Sequence, residues 1–300
     1  MGRTLADAIH EKLPQLELRE NEPLANHTSF RIGGPAKAVL FPKSTDELRR
    51  LCGLLRSLGE KPLLLGNGSN VLAPDAGTDR AVILTVKICG MSRLGDGLKA
   101  ECGAALTRLA AFAAAEGLGG LEFAYGIPGT VGGALVMNAG AYGGEMKDVV
   151  LRTVFLDGEL RERKYEGEDH LFGYRTSAFK DGEVILETEM RLHKAEAEKI
   201  REKMEELMAR RRSSQPVELP SAGSAFKRPA NGYAAELIDR CGLKGFTVGG
   251  AGVSEKHAGF IVNNGGATAD DVKKVIEHVR ETVYERTGTE LCQEIRIIDG

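Results

Sequence analysis

Apolar and polar positions alternate with a helical period along several segments of the chain. The clearest is 195–212, a highly charged segment in which Ile200, Met204 and Leu207 share one face. Ser44 precedes another such segment with two acids in its first turn, an arrangement typical of a helix N-terminus. The predicted helices cover 4–13, 44–58, 107–116, 195–212, 234–240 and 270–287.

Shorter runs that are continuously apolar, or that alternate every second residue, predict β-strands. These runs cover 38–41, 62–65, 82–86, 149–157, 184–192 and 294–298. Because strands and helices alternate, the pattern indicates an α/β or α+β protein. Gln215-Pro216 ends the charged helix, so we place a domain boundary near it.

Composition excludes several classes of protein. The 300 residues carry a formal net charge of -3, contain no tryptophan and are only 5% aromatic, which argues against a nucleic-acid surface. The five cysteines are scattered and form no CxxC pair, so we expect a reducing compartment and neither a disulfide framework nor a zinc site. No signal core or long apolar run is present, and we expect a cytoplasmic protein that has no membrane partner.

Two glycine-rich segments stand out, Gly66–Asn70 directly after a predicted strand and 126–150. Turns of this kind can present several backbone amides to one anion, such as a pyrophosphate, although each can also be only a tight turn. A dinucleotide fingerprint of the GxGxxG type is absent, because Gly66 begins G-N-G-S-N-V and Leu72–Asp75 breaks any following helix. A dinucleotide bound here therefore requires another fold.

Eight motifs resemble, in order, those of the UDP-N-acetylenolpyruvoylglucosamine reductase family, which acts second in bacterial peptidoglycan precursor synthesis. The motifs are NHTSFRIGG (26–34), LGNGSNVL (65–72), GIPGTVGGALVMNAGAYG (126–143), FGYRTSAF (172–179), SAGSAFKRP (221–229), NGYAAELID (231–239), HAGFIVNNGGATADDV (257–272) and EIRIIDG (294–300). Each motif alone is weakly specific. Together they span the chain from about residue 23 to its end, which makes the resemblance highly specific.

The resemblance implies an α+β protein with a vanillyl-alcohol-oxidase-like (PCMH-type) FAD-binding fold in two subdomains and a smaller C-terminal α+β substrate domain. We expect the first subdomain at 1–88, joined by strand 293–300, the second at 89–195 and the substrate domain at 196–292. We expect the shorter type of the family, which lacks a loop with a substrate-covering tyrosine, because little room for it lies between Arg175 and Ser224.

Non-covalent FAD is the implied cofactor, with NADPH as co-substrate. The first glycine segment contains no histidine or cysteine that could attach the flavin covalently. The implied cofactor-binding residues are Gly66, Asn67, Gly68, Ser69, Asn70, Pro128, Gly129, Thr130, Gly133, Asn138, Ala139 and Gly140.

The family's reaction reduces UDP-N-acetylglucosamine enolpyruvate to UDP-N-acetylmuramate, so the resemblance implies an oxidoreductase acting on a CH–CH bond. It implies Arg175 as the stabiliser of carboxylate charge, Ser224 as the proton donor and Glu294 as an acid that polarises the developing enolic carboxylate. Ser221 is a rival for Ser224, and Glu290 is a weaker rival for Glu294. Loop serines and strand acids are also common without any such role.

Further residues are secondary candidates. Tyr174, Lys227 and Arg228 are expected to contact the substrate's phosphates or sugar, whereas 210–212 is typical of a basic helix end. His27 and His257 lack metal-ligand spacing, and we expect both to be structural and no metal to be bound. An oxidase on the same fold and a nucleotide-sugar binder without flavin are the alternative functions. We expect a monomer.

Overall fold

The structure is a computed structural model, and it describes residues 4–230 and 232–299. Asn231 and Gly300, which belong to two of the motifs above, lie outside the described residues. Within these ranges the α-helices are α1 (Leu5–Lys12), α2 (Thr45–Ser57), α3 (Leu106–Ala115), α4 (Val131–Met137), α5 (Ala197–Ser214), α6 (Ala234–Arg240) and α7 (Ala269–Thr287).

Most strands of the described chain are short. They are β1 (Glu17–Pro23), β2 (Pro35–Phe41), β3 (Leu63–Leu65), β4 (Val71–Leu72), β5 (Thr78–Leu84), β6 (Met91–Leu94), β7 (Gly97–Glu101), β8 (Leu118–Gly119), β9 (Gly140–Ala141), β10 (Gly144–Glu145), β11 (Val150–Leu156), β12 (Glu162–Glu166), β13 (Val184–Arg191), β14 (His193–Lys194), β15 (Ser221–Ser224), β16 (Thr247–Val248), β17 (Ala251–Val253), β18 (Phe260–Asn263) and β19 (Arg296–Ile297).

The chain divides into two compact units, and each unit is built from three stretches of sequence. Unit 1 comprises Met1–Glu20, Lys37–Asn67 and Arg80–Ala209. Unit 2 comprises Asn21–Ala36, Gly68–Asp79 and Arg210–Gly300.

Unit 1 contains a five-stranded sheet with the order β12-β11-β13-β7-β6. Its strands run antiparallel, and Thr153 of β11 lies opposite Thr188 of β13. Helices α2 and α3 bury their apolar faces in a hydrophobic cluster that also includes Leu186 and Phe155 of this sheet. Burial of such side chains stabilises the unit by roughly 1.5–3 kcal/mol each before the entropy cost of folding.

A second sheet has the order β1-β2-β5-β3, and β3 pairs with β5 in parallel. Leu65, the last residue of β3, lies opposite Leu84. The chain therefore leaves a buried parallel strand at Leu65 and enters the first glycine segment at once.

Unit 2 contains an antiparallel sheet with the order β15-β18-β17-β16. Helix α7 packs on it with an apolar face that includes Val272, Val275, Val279 and Val283, all of which are fully buried. The strand β19 near the end of the chain pairs in parallel with β4, so residues 296–297 lie beside residues 71–72.

All six predicted helices are confirmed, with ends that differ by three residues or fewer. The pattern missed α4, because Gly132 and Gly133 hide its period, and it missed the β6–β7 hairpin and the short strands of unit 2. The charged helix was assigned by sequence to the C-terminal domain, yet Ile200 and Met204 pack in the hydrophobic cluster of unit 1. The division into three sequence domains stays a prediction.

Candidate functional site

The first glycine segment begins where β3 ends, and packing in unit 1 determines its first residue. A Cβ atom at Gly66 would overlap the hydroxyl of Thr130. That hydroxyl is buried and has no hydrogen-bond partner among the described residues. Asn67 donates from Nδ2 to the carbonyl oxygen of Pro128 at 2.9 Å. The segments that begin at Gly66 and Pro128 are thus held against each other.

The rest of this glycine segment belongs to unit 2. Gly68 has φ +56°, and a Cβ there would overlap the carbonyl oxygen of His27. Its own carbonyl accepts from the amide of Ser29 at 3.2 Å. Asn70 donates from Nδ2 to the carbonyl oxygen of Glu294 at 3.3 Å. A glycine at 68 is required by both the backbone conformation and the close approach of another chain segment.

The second glycine segment contains the helix α4, which begins beside Thr130. The amides of Val131 and Gly132 donate to the carbonyl oxygens of Ala104 and Cys102 at 2.8 and 2.7 Å. Gly133 is different, because the nearest atom to a Cβ at this position would be 3.7 Å away. The start of α4 is therefore held to residues 102–104 by two hydrogen bonds. At Gly133, by contrast, a Cβ atom would meet no close neighbour.

Asn138 ends α4 in the left-handed conformation, with φ +41°, and it is fully buried. Its Nδ2 donates to Glu145 Oε2 at 2.8 Å and to the carbonyl oxygen of Gly173 at 3.0 Å. Its Oδ1 accepts from the amide of Lys147 at 2.9 Å. Because the side chain is used within the protein, a cofactor contact from Asn138 would have to come from its backbone.

The two residues after Asn138 also have structural roles. The amide of Ala139 donates to Ala134, and its carbonyl accepts from Met146. A Cβ atom at Gly140 would lie 2.7 Å from the Cβ of Glu145, its partner in the β9–β10 pair. The strand pair therefore accounts for this glycine without a ligand.

These observations fit FAD, the cofactor that the sequence predicted. Within the described chain, the amides of residues 67–70 donate to no backbone carbonyl, so they are available to an anion. The orphaned hydroxyl of Thr130 is a further donor, and Gly133 leaves room for a close approach. Within unit 1, Gly66, Asn67, Pro128–Thr130 and Gly133 could hold the pyrophosphate, and the same role for Gly68–Asn70 stays a prediction.

Arg175 lies at the tip of residues 171–178, which we call the arginine hairpin. Gly173 and Thr176 pair with each other, so Tyr174 and Arg175 form its two-residue turn. Arg175 has φ +56°, a left-handed backbone conformation that residues other than glycine adopt only rarely. Its Nη2 lies 3.4 Å from the carbonyl oxygen of Gly140, and its guanidinium lies 5.3 Å from the Tyr174 ring centre.

Ser224 and Glu294 are brought together in unit 2. Ser224 is the last residue of β15, and the amide of Glu294 donates to the carbonyl oxygen of Ala225 at 2.8 Å. Both residues are half-buried. The Ser224 hydroxyl donates to the carbonyl oxygen of Phe226 at 3.1 Å. A neutral hydroxyl and a carboxyl group therefore start from neighbouring backbone positions.

The secondary candidates lie near these positions or near Arg175. Lys227 donates its amide to the carbonyl oxygen of Cys292, which continues the pairing that holds Glu294. The Arg228 guanidinium lies 4.5 Å from the ring centre of Tyr233, which is exposed. Tyr174 is also exposed at the turn of the arginine hairpin. A guanidinium stacked on an aromatic ring in this way can also bind a phosphate.

The two motif histidines make contacts within the protein. His27 Nε2 lies 2.9 Å from Glu22 Oε1, and His257 Nδ1 accepts from the amide of Gly259 at 3.1 Å. Burial lowers the pKa of His257. Among residues 4–230 and 232–299, no group of three or more His, Cys, Asp or Glu could hold a metal ion. No helix within those ranges is long and apolar enough to cross a membrane.

Sequence reasoning missed the residues that anchor the functional segments. The Ser29 hydroxyl donates to the carbonyl oxygen of Ser221 at 2.6 Å, and the Ser29 amide donates to the carbonyl oxygen of Gly68. The Ser177 hydroxyl donates to the carbonyl oxygen of Val136 at 2.9 Å and fastens the arginine hairpin to α4. Both serines lie inside motifs, but only the folded chain shows what they bind.

Comparison with known proteins extends the likeness to the whole chain. Residues 36–162 match the model described as FAD binding domain, and residues 215–298 match that of the UDP-N-acetylenolpyruvoylglucosamine reductase C-terminal domain. The reductase of that name from Caldanaerobacter subterraneus subsp. tengcongensis is 44% identical over 299 residues, covering 99% of both chains. The one from Caldicellulosiruptor bescii is 46% identical over 286 residues, covering 94% of this chain and 91% of its own.

Solved structures agree with the sequence comparison. The crystal structure of UDP-N-acetylenolpyruvylglucosamine reductase (MurB) from Thermus caldophilus is 35% identical, with a TM-score of 0.79 over 95% of this chain and 99% of its own. The Bermuda grass isoallergen BG60 shares only the fold, at 16% identity and a TM-score of 0.51 over 63% of this chain and 44% of its own. The predicted fold class is confirmed. By full-length identity and structure, the chain belongs to the UDP-N-acetylenolpyruvoylglucosamine reductase family.

Proposed function

We propose that the protein reduces the enolpyruvyl ether of UDP-N-acetylglucosamine to UDP-N-acetylmuramate with electrons from NADPH. The observation that carries this proposal is the pairing of Ala225 with Glu294, which holds a hydroxyl and a carboxyl residue of two family motifs side by side. Non-covalent FAD would supply the hydride transfer, and the protein supplies binding, orientation and electrostatics. This reaction would be a step of bacterial peptidoglycan precursor synthesis.

Arg175 is the residue that stabilises negative charge on the substrate. Charge develops on the enolpyruvyl carboxylate as hydride adds to the neighbouring double bond. A guanidinium stays protonated at any physiological pH and meets a carboxylate as a planar fork. The short turn of the arginine hairpin, with its positive φ at Arg175, supports a fixed presentation of that fork.

Ser224 is the residue that gives a proton to carbon C2. Its hydroxyl donates to the carbonyl oxygen of Phe226. The same proton would move to the carbanion that forms at C2 as hydride adds to C3. Glu294 would polarise the enolic carboxylate from the adjacent backbone position. Ser221 is the rival donor, and its backbone carbonyl already accepts from Ser29.

The cofactor and substrate contacts follow the same motifs. Gly66–Asn70, Pro128–Thr130 and Gly133 would cradle the FAD pyrophosphate, with Asn138, Ala139 and Gly140 contributing backbone only. Tyr174, Lys227 and Arg228 would contact the nucleotide sugar. We also propose that the protein works as a monomer in the cytoplasm, without a nucleic-acid or membrane partner.

Two variants test the catalytic roles by separating the half-reactions. In Ser224→Ala and Arg175→Ala, NADPH should bleach the flavin at nearly the wild-type rate under anaerobic conditions. Reoxidation by the enolpyruvyl nucleotide sugar should slow by roughly 10²–10⁴ for the lost proton donor and roughly 10²–10³ for the lost charge stabiliser. Anaerobic stopped-flow absorbance measures both steps.

Two exposed residues, Ser213 and Arg191, supply matched controls. Ser213→Ala and Arg191→Ala should leave both half-reactions unchanged. Equal losses in both half-reactions for Ser224→Ala would reject its role as proton donor. A flavin that only oxygen reoxidises would favour the oxidase alternative and reject the substrate.

A further inference from the structure

One buried titratable side chain, His170, has no part in the proposed chemistry. It is fully buried, with Nδ1 2.9 Å from the carbonyl oxygen of Gly167 and Nε2 2.9 Å from the hydroxyl of Thr153. Because a carbonyl only accepts, Nδ1 carries a proton. Burial lowers the pKa of His170, so the neutral ring accepts at Nε2 from Thr153. The tautomer of the ring is thereby fixed.

The hydrogen bonds of this ring continue into the five-stranded sheet. The Thr153 hydroxyl on β11 lies 3.1 Å from the Thr188 hydroxyl on β13. The single hydroxyl proton of Thr188 has two acceptors within reach, the Thr153 hydroxyl and the carbonyl oxygen of Arg152 at 2.9 Å. Thr153 and Thr188 are both buried, so solvent does not compete for these groups. His170 is therefore attached to β11 of the five-stranded sheet directly and, through Thr153, to the central strand β13.

The same residue holds both ends of the arginine hairpin. The amide of Ala178 donates to the carbonyl oxygen of His170 at 2.7 Å, which closes the loop between them. The ring stacks on Phe172 with 4.8 Å between centres and an 11° angle, and it meets Phe179 edge-on at 6.2 Å. Phe172 of the outgoing segment and Phe179, the residue that follows the returning segment, thus both contact one imidazole.

We propose that His170 is a positioning residue for Arg175, because it joins both ends of the arginine hairpin to the five-stranded sheet. The inference rests on the charge-stabilising role proposed for Arg175. Misplacing a reacting group by about 1 Å can cost on the order of 10²-fold in rate. A side chain that fixes the base of a short hairpin therefore acts on the chemistry at its tip.

The first test is His170→Phe in the FAD-loaded enzyme. The substitution keeps a ring that can stack on Phe172 but removes both nitrogen atoms. We expect reoxidation by the enolpyruvyl nucleotide sugar to slow roughly 10- to 100-fold, while reduction by NADPH stays within about twofold because it does not use Arg175. Anaerobic stopped-flow separates the two rates.

A second pair of variants tests the hydrogen bond without changing the ring. Thr153→Val removes the hydroxyl at Nε2 and should slow the substrate half-reaction, whereas Thr153→Ser keeps it and should restore the rate. Phe155→Leu is the matched control, since Phe155 contacts Phe179 and Tyr165 but makes no hydrogen bond to the His170 ring. If Phe155→Leu slows the substrate step as much as Thr153→Val, the positioning role is rejected.

A double variant decides whether His170 acts through Arg175. If it does, His170→Phe combined with Arg175→Ala is no slower than Arg175→Ala alone, because the hairpin tip has nothing left to position. If the rate losses of the two single variants multiply in the double variant, the inference is overturned. Arg175→Ala alone tests the proposed function separately: a wild-type substrate half-reaction in that variant rejects the role of Arg175, whatever His170→Phe shows.

Discussion

Packing determines the residue at position 66. The missing side chain leaves the space that the Thr130 hydroxyl occupies, and that hydroxyl has no partner in the described chain. Glycine loses more backbone freedom on folding than any other residue, so its presence after a buried strand needs a compensating use. At Gly66 that use is the close approach of residues 128–130, which also brings Asn67 onto Pro128.

We therefore expect Gly66→Ala to lose FAD. The added Cβ pushes the Thr130 segment away and spoils the arrangement of donors around the pyrophosphate. The bound flavin per protein, measured by absorbance after gel filtration, should fall severalfold. Thr130→Ala in the same chain should restore part of it, because the overlapping hydroxyl is gone.

Gly53→Ala is the matched control for this prediction. Gly53 lies inside α2, and a Cβ there meets nothing within 4 Å. The substitution should keep full flavin content and stabilise the protein by about 0.5–1 kcal/mol, since alanine favours the helix. Equal flavin content in Gly66→Ala and Gly53→Ala would contradict the packing argument.

At the scale of elements, both ends of α7 carry local signals, and the Asp75 carboxylate also accepts from the amides of Ala269 and Asp270. Thr268 accepts from the amide of Asp271, and the Asp271 carboxylate accepts from the amide of Thr268 in return. These hydrogen bonds lower the pKa of Asp271. Gly288 ends the helix with φ +68°. The helix in between buries a row of valines, so its position on the sheet of unit 2 depends on an intact start.

Thr268→Ala should lower the free energy of unfolding by about 1 kcal/mol, within the range of roughly 0.5–2 kcal/mol that a lost N-cap costs. Urea denaturation followed by circular dichroism measures the change. Thr268→Ser keeps the acceptor and should stay near wild type. Identical midpoints for Thr268→Ala and the wild type would show that the capping box adds nothing.

At the scale of the whole molecule, each of the two units has its own hydrophobic cluster and a histidine whose pKa is lowered. His170 lies in unit 1 and His257 in unit 2, and burial lowers the pKa of both. Their usual value is 6.5, so below that pH the unfolded chain binds more protons than the folded one. The stability that these groups provide is present above pH 6.5 and is lost as the pH falls through their lowered pKa values.

We therefore expect the free energy of unfolding to fall between pH 7.5 and pH 5.5. His257→Asn should reduce that fall, because an asparagine oxygen can still accept from Gly259 but does not titrate. Urea denaturation at the two pH values measures the difference. A fall of the same size in His257→Asn would mean that other groups control the acid response.

The sequence by itself determined six of the seven α-helices of the described chain, the family and the residues to test. Amphipathic periods located α2, α5 and α7, because side chains that share a face need no knowledge of the partner surface. The motif order was enough to identify a flavin fold. The contents of these motifs were also sufficient to select Arg175 and Ser224 as candidates, whose roles stay predictions.

Only the tertiary structure decided which motif residues have tasks inside the protein. Asn138 and Gly140 read as cofactor residues in sequence, yet one fastens the arginine hairpin and the other permits a strand pair. His170 carried no signal, because its partner Thr153 lies 17 positions away along the chain, and Thr153 in turn contacts Thr188 at a separation of 35 positions. Hydrogen bonds between distant residues leave no period or spacing in a sequence, and they exist only once the sheet has formed.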